Sequence, residues 1–208
     1  MKSHPLITTL VILACAGSVP AMAKGPNAPP IPKTVTQTTV AVTPLDAEEA
    51  NTLLWMREEE KVARDVYVNL YKLWRKPVFR RIANSEQRHF EAVGAKIELY
   101  GLTDPAQPAI GQFTNTDLQA MYDQLLASGG TSYIQALLVG ATIEDVDIRD
   151  LQAAIEATDE AALKTTYRNL LEGSKNHLRA FVELLQDLGV TYSPQYIDPV
   201  LYDAIVGV

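Results

Sequence analysis

Residues 81–89 read RIANSEQRH, within a stretch where Phe79, Ile82, Val93, Ile97 and Tyr100 recur at helical spacing. On that spacing Glu86 and His89 fall on the same line as the apolar residues. A helix that turns a carboxylate and an imidazole toward its own core needs a reason, because unpaired buried charge is costly. The rest of the chain supplies one.

The boundary signals predict an almost wholly helical chain after Pro44. Asp46 can cap a first helix running to about Arg75, ahead of Pro77, and a second runs from about Val78 to Tyr100, ending at Gly101. So short a join makes the two antiparallel neighbours. A connection of about thirty residues follows, holding Pro105, Pro108, Gly111 and a short helix from Thr116 to Ala127 that stops at Gly129-Gly130. A third long helix spans Ser132 to Ala157, and a fourth begins near Asp159, after Thr158, and ends at Gly189. Pair, crossover, pair is the expected order, an all-α four-helix bundle with one long crossover between its second and third helices.

Each long helix carries a polar interruption near the middle of its core line. The first line passes Leu53, Met56, Glu60, Ala63 and Tyr67; the second passes Ile82, Glu86, His89 and Val93. The third passes Leu137, Gly140, Glu144, Asp147 and Leu151, and the fourth Leu170, Ser174, His177 and Phe181. Middles of antiparallel helices lie at one height, so Glu60, Glu86, His89, Glu144, Asp147, Ser174 and His177 are expected to meet in one layer. Four carboxylates buried together without counter-charge must either protonate or gather cations. Glu58 and Glu59 adjoin Glu60 but point elsewhere, and solvation is the expectation for both. Arg64, Asp65, Asn84, Asn176 and Arg179 flank the layer, as surface polar groups or as partners orienting the ligands. Tyr67, Tyr100, Tyr133 and Tyr167 sit on core lines and read as core packing.

The N-terminus carries a separate message. Lys2 precedes an apolar run from Leu6 to Ala16, and Ala21-Met22-Ala23 follows, the pattern of a secretory leader over residues 1–23. Cleavage after Ala23 leaves an exported, periplasmic or secreted chain. The alternative is lipid anchoring at Cys15, within Ile12-Leu13-Ala14-Cys15. Cys15 is the single cysteine, so cleavage after Ala23 excludes disulfides, thiolate nucleophiles and cysteine metal sites downstream. Residues 24–44, KGPNAPPIPKTVTQTTVAVTP, lack helical periodicity and read as an extended tether. The bundle is expected over 45–196, with a tail at 197–208. The formal net charge is −7, and losing the leader removes Lys2 and no acid, which disfavours nucleic acid as a partner.

A Glu-x-x-His pair met by a Glu from another helix resembles the ferritin-like carboxylate proteins that bind two iron or manganese ions. EKVARDVY, residues 60–67, is similar to the Glu-x-x-Ala-Arg-x-x-Tyr of rubrerythrins. IANSEQRH is similar to their second helix, and Glu144-x-x-Asp147 resembles the Glu-x-x-Glu of their third. EEEKVARDVY, VGATIEDVDIRDL and GSKNHLRAF resemble more closely the domain of unknown function 2202 family, an uncharacterised bacterial and archaeal group of ferritin-like domains. The resemblance spans Leu45 to Tyr196 and departs at Ser174, where the fourth helix usually offers a glutamate.

It implies a centre of two Fe or Mn ions, with Zn open, held by Glu60, Glu86, His89, Glu144, Asp147 and His177. Glu86 or Glu144 would bridge, and each histidine would hold one ion. It further implies oxidoreductase chemistry with dioxygen or peroxide, and an external electron donor in the absence of cysteines. A homodimer is compatible with it. Two other classes share the pattern: a metal-binding module without turnover, for sequestration or sensing, and a metal-free structural or interaction bundle.

Overall fold

Asp46 opens the first helix as a capping box: its carboxylate accepts from the backbone of Glu48 and Glu49, and Glu49 reaches back to the Asp46 amide. The resulting helix, α1, runs Ala47–Trp74 in a computed structural model that describes residues 43–207. The predicted leader and most of the predicted tether, including Cys15, lie outside the described residues. Arg75 closes α1 in the left-handed region (φ 55°), and Pro77 occupies the first turn of α2, Pro77–Leu99. After a connection come α3 (Thr116–Gly129, capped by Asn115), α4 (Tyr133–Ala157, capped by Ser132) and α5 (Ala161–Asp187). A sixth helix, α6, spans Pro199–Val206. The described residues are all-helical, with six helices and no strand. None is long and apolar enough to cross a membrane.

The helices pack as two main pairs, α1 on α2 and α4 on α5, with α1 also touching α4 and α2 touching α5. Their apolar stripes meet in one core. At its centre the rings of Tyr67, Phe79 and Phe181 stack or tilt against one another, 5.4–6.4 Å between centroids. Burying each such side chain contributes roughly 1.5–3 kcal/mol. Gly140 makes this packing achievable, since a Cβ there would lie 2.5 Å from the Phe181 ring.

The connection between α2 and α3 is held by α1 rather than left in solvent. Arg57 pairs with Asp104 at 2.7 Å and donates to the Phe90 carbonyl. Glu58 accepts from the amides of Thr114 (2.6 Å) and Asn115 (2.9 Å). Lys61, fully buried, pairs with Asp65 at 2.7 Å and donates to the carbonyls of Ala109 and Gln112, while Asp65 also accepts from the Gly111 amide. Loop backbone that cannot reach water is thereby satisfied by side chains of α1.

Two expectations change here. Glu58 and Glu59 are buried, not solvated, because the connection and α4 cover the face of α1 that periodicity assigns to water. Within the expected tail, Pro199–Val206 form α6, with Tyr202 and Ile205 buried in the contact with α5. Asp145 fixes this C-terminal segment: its carboxylate accepts from the Tyr192 hydroxyl (2.8 Å) and from the amides of Gln195, Tyr196 and Ile197 (2.6–3.2 Å).

Candidate metal centre

Glu60 on α1, Glu86 and His89 on α2, Glu144 on α4 and His177 on α5 come together between the two helix pairs. Glu60, Glu86 and Glu144 are each 1% exposed, so the carboxylates are sealed in the core. The imidazoles are the most open part, with side chains about a tenth exposed. Their rings face one another with centroids 5.6 Å apart and planes inclined by 29°.

Glu86 is the hub. Its Oε2 lies 2.8 Å from Nδ1 of His89, and its Oε1 lies 2.7 Å from Nδ1 of His177. Each imidazole has a second carboxylate, Glu60 at 3.3 Å for His89 and Glu144 at 3.4 Å for His177. The ligand atoms form two clusters, Glu60–Glu86–His89 and Glu86–Glu144–His177, each within 4.8 Å, with Glu86 in common.

Close as they are, these atoms are not hydrogen bonded. Both Glu86 oxygens, Oε1 of Glu60 and Nδ1 of each histidine are buried without a hydrogen-bond partner, because the N–H directions miss the oxygens. Imidazole nitrogens and carboxylate oxygens that converge without bonding to one another are arranged for a third party, to which each nitrogen can turn a lone pair once its proton is lost. A buried polar atom left so is expensive, on the order of 1–3 kcal/mol each.

The electrostatics carry the same strain. Burial raises the Glu60 carboxyl, and His89 only partly offsets it, leaving it pushed up to about 8. Burial would raise Glu86 too, but His177 and His89 outweigh it and hold Glu86 at about 2. Burial lowers the imidazoles, yet the carboxylates prevail: Glu60 and Glu86 raise His89 to about 11, and Glu144 and Glu86 raise His177 to about 10. Glu144 is raised by burial and by Glu86. The imidazolium charges therefore stand in for cations.

Asp147 is buried beside the layer but belongs to neither cluster. Ser174 donates to its Oδ2 at 2.5 Å, and its Oδ1 has no partner. Burial, then Glu60, Glu144 and Glu86, push its carboxyl well above the usual range. Of the flanking residues, Tyr67 donates to Oε1 of Glu144 at 2.5 Å and so aims that carboxylate. Burial, then Glu144, push the Tyr67 phenol up, so it keeps the proton it donates. Asp65 and Arg64 pair with each other, and Arg64 also reaches Gln87. Asn84 and Asn176 are exposed, and Arg179 donates to the Ile205 carbonyl in the α5–α6 contact.

Periodicity overlooked Gly173. A Cβ there would sit 2.5 Å from Nε2 of His89, so this glycine makes room for the ring. A glycine inside a strongly helical stretch, one residue from a core-line position, was the available signal.

The fold and this site define a class: an all-helical protein whose helix pairs enclose a paired carboxylate–histidine cluster. Residues 49–208 match the family described as "Uncharacterized protein domain (DUF2202)", and the chain belongs to that family. It is 46% identical over 164 residues to the uncharacterized protein MJ0754 of Methanocaldococcus jannaschii, covering 78% of this chain and 89% of that protein. A crystal structure titled as hypothetical protein MJ0754 from Methanococcus jannaschii superposes with a TM-score of 0.79 at 44% identity, spanning 82% of this chain and 98% of that one.

Proposed function

We propose that this protein is an exported, ferritin-like four-helix protein that binds two Fe or Mn ions, with Zn a weaker fit, and reacts with dioxygen or peroxide. The carrying observation is the pair of three-ligand clusters sharing Glu86, in which both Glu86 oxygens, Oε1 of Glu60 and Nδ1 of each histidine lack hydrogen-bond partners. The residues fit such ions: hard carboxylate oxygens with one imidazole per ion suit Fe and Mn. Glu60 and His89 would hold one ion, Glu144 and His177 the other, with Glu86 between them. Ions of this kind supply one-electron redox steps, fed by an external donor. Elemental analysis of the full chain tests the reading, with about two Fe or Mn per chain expected. Protein that is metal-free and takes up none on reconstitution would leave the charged layer as structural only.

The protein's own groups set the surroundings. Tyr67 orients Glu144 through the proton it keeps. Ser174 stands where a fourth-helix carboxylate would complete the pattern, and its bond to Asp147 draws a carboxylate from α4 toward that place. The free Oδ1 of Asp147 is thus available to the second ion. Asp147→Asn is expected to weaken that ion about 10–100-fold, the usual scale for groups that support a site. Ser174→Glu should tighten metal binding and suppress reactivity with peroxide; unchanged affinity in both variants would remove Asp147 and Ser174 from the site.

Gly173→Ala separates site from scaffold. Alanine favours a helix over glycine by up to about 1 kcal/mol, yet its methyl would drive the His89 ring from its place. The expected result is metal affinity at least tenfold lower in a chelator competition, with helix content unchanged. Export is tested by mass spectrometry of the secreted chain: an N-terminus at Lys24 is expected, and a lipid on Cys15 would replace the soluble form with an anchored one.

A further inference from the structure

A cleft of about 740 Å³ opens between α3, α4 and residues 191–196, on the side of α1 that carries Glu59. Its buried floor is aliphatic: Val62, Val139, Ile143 and Val146. The exposed rim is polar, with Asp117, Gln124, Gln135 and Gln195 among its residues. The volume falls inside the roughly 300–1,000 Å³ typical of small-molecule sites.

Glu59 lines this cleft while only 5% exposed. Its Oε2 accepts from the indole of Trp55 at 3.1 Å, whereas its Oε1 has no partner. Glu59 and Glu60 are adjacent on α1 and so face different neighbours, and the cleft shares no lining residue with the two ligand clusters, although burial, together with Asp147 and Asp150, pushes the Glu59 carboxyl well above the usual range. No Lys, Arg or His lines the cleft, and its charged residues, Glu59 and Asp117, are both acidic. Arg149 on α4 is already engaged by two hydrogen bonds to Asp150.

We propose that this cleft is a second ligand site, lined by none of the cluster residues, for an amphiphilic cation: an alkyl or aryl ammonium that pairs with Glu59 and lays its apolar body on the aliphatic floor. Each alternative head group fails on the lining. An anionic amphiphile meets two carboxylates and no base. A neutral apolar molecule leaves the buried Glu59 oxygen unsatisfied, at the cost such an orphan carries. A polyol forgoes burial of the floor, which is worth about 25 cal/mol per Å². An ammonium supplies both a donor to Oε1 and the missing positive charge, and charge-assisted bonds of that kind are roughly twice as strong as neutral ones.

Calorimetric titration of the full chain with octylammonium, octanol and octanoate tests this, because the three share a tail and differ in the head. One octylammonium is expected to bind saturably, at least tenfold more tightly than octanol, with no octanoate binding. Glu59→Gln keeps the size and the acceptor for Trp55, and should reduce octylammonium to the affinity of octanol while leaving octanol unchanged. Thr142→Phe, at a half-buried position on the cleft wall, should weaken both ligands by filling the space. The proposal is overturned by absence of saturable octylammonium binding, by octanoate or octanol binding as tightly, by unchanged octylammonium affinity in a folded Glu59→Gln, or by Thr142→Phe leaving both ligands unaffected. If Glu59→Gln does not fold, the head-group series and Thr142→Phe still decide.

Discussion

Replacing Glu86 by glutamine is expected to take the protein from about two bound ions per chain to none. Glu86 is the carboxylate common to both clusters, with one oxygen toward each histidine at 2.7–2.8 Å. The amide of glutamine keeps the volume but loses the charge and half of the acceptor capacity. Each cluster then retains one carboxylate and one imidazole, too few to compete for a cation. The loss should exceed the roughly 10–100-fold that follows removal of an outer supporting group. Glu86→Ala should do the same to metal binding and also lower the stability of the metal-free protein by about 3–5 kcal/mol, the scale for removing one partner of a buried ion pair. Helical circular dichroism should survive in both variants, because Tyr67, Phe79, Phe181 and the aliphatic core do not depend on Glu86. Retained metal stoichiometry in Glu86→Gln would refute the shared-carboxylate arrangement.

The second large effect is in the pH dependence, where metal-free and metal-loaded protein should move in opposite directions. In the metal-free protein Glu60 titrates at about 8, against an ordinary 4.5. Between those values the folded chain holds a proton that the unfolded chain has released, so stability falls as pH rises. His89 at about 11 and His177 at about 10, against 6.5, have the same sign: their contribution is complete below 6.5 and is lost as pH climbs through the folded values. Glu86, depressed to about 2, acts the other way, and its contribution is lost only as pH falls from 4.5 toward 2. The metal-free protein should therefore be most stable at mildly acidic pH and weaken steadily into the alkaline range.

Bound metal reverses this trend, because carboxylates and imidazoles bind it only once deprotonated. Free metal at a hundred times its Kd adds about 2.7 kcal/mol, which for a domain of this size is a Tm increase of about 5–10 °C. Thermal melts with and without Mn at pH 5, 6.5 and 8 should show two curves that converge in acid and separate above neutrality. Parallel curves would mean that these side chains do not hold the ion.

The helical architecture and the content of the polar layer were legible in the sequence because both depend on a local period. Asp46 as a cap, Pro77 as the stop ahead of the second helix and Ser132 as the start of the third long one act through atoms a few positions away. Glu60, Glu86, His89, Glu144 and His177 share their core lines with Leu, Ile and Phe, so the same 3.6-residue spacing that makes an apolar stripe also points them inward. The C-terminal boundary was less legible: Asp198 and Pro199 start a helix too short for any period to be distinct.

What tertiary structure alone decided is which groups face one another. Periodicity tells a side chain its direction from its own helix axis and nothing about what another segment brings against it. Glu58, Lys61 and Asp65 lie off the core line of α1, yet the 102–115 connection folds over them and turns them into its anchors. Asp145 neighbours the layer in sequence but turns to the C-terminal segment, while Asp147, two residues on, turns to Ser174. Glu86 rather than Glu144 is the shared carboxylate because its two oxygens lie between the histidines of different helix pairs, a relation fixed by the packing of α2 against α5. The open cleft beside Glu59 likewise exists only where α3 and the returning C-terminal segment leave α1 and α4 uncovered, since space between elements is a property of their assembly and not of any one stretch of chain.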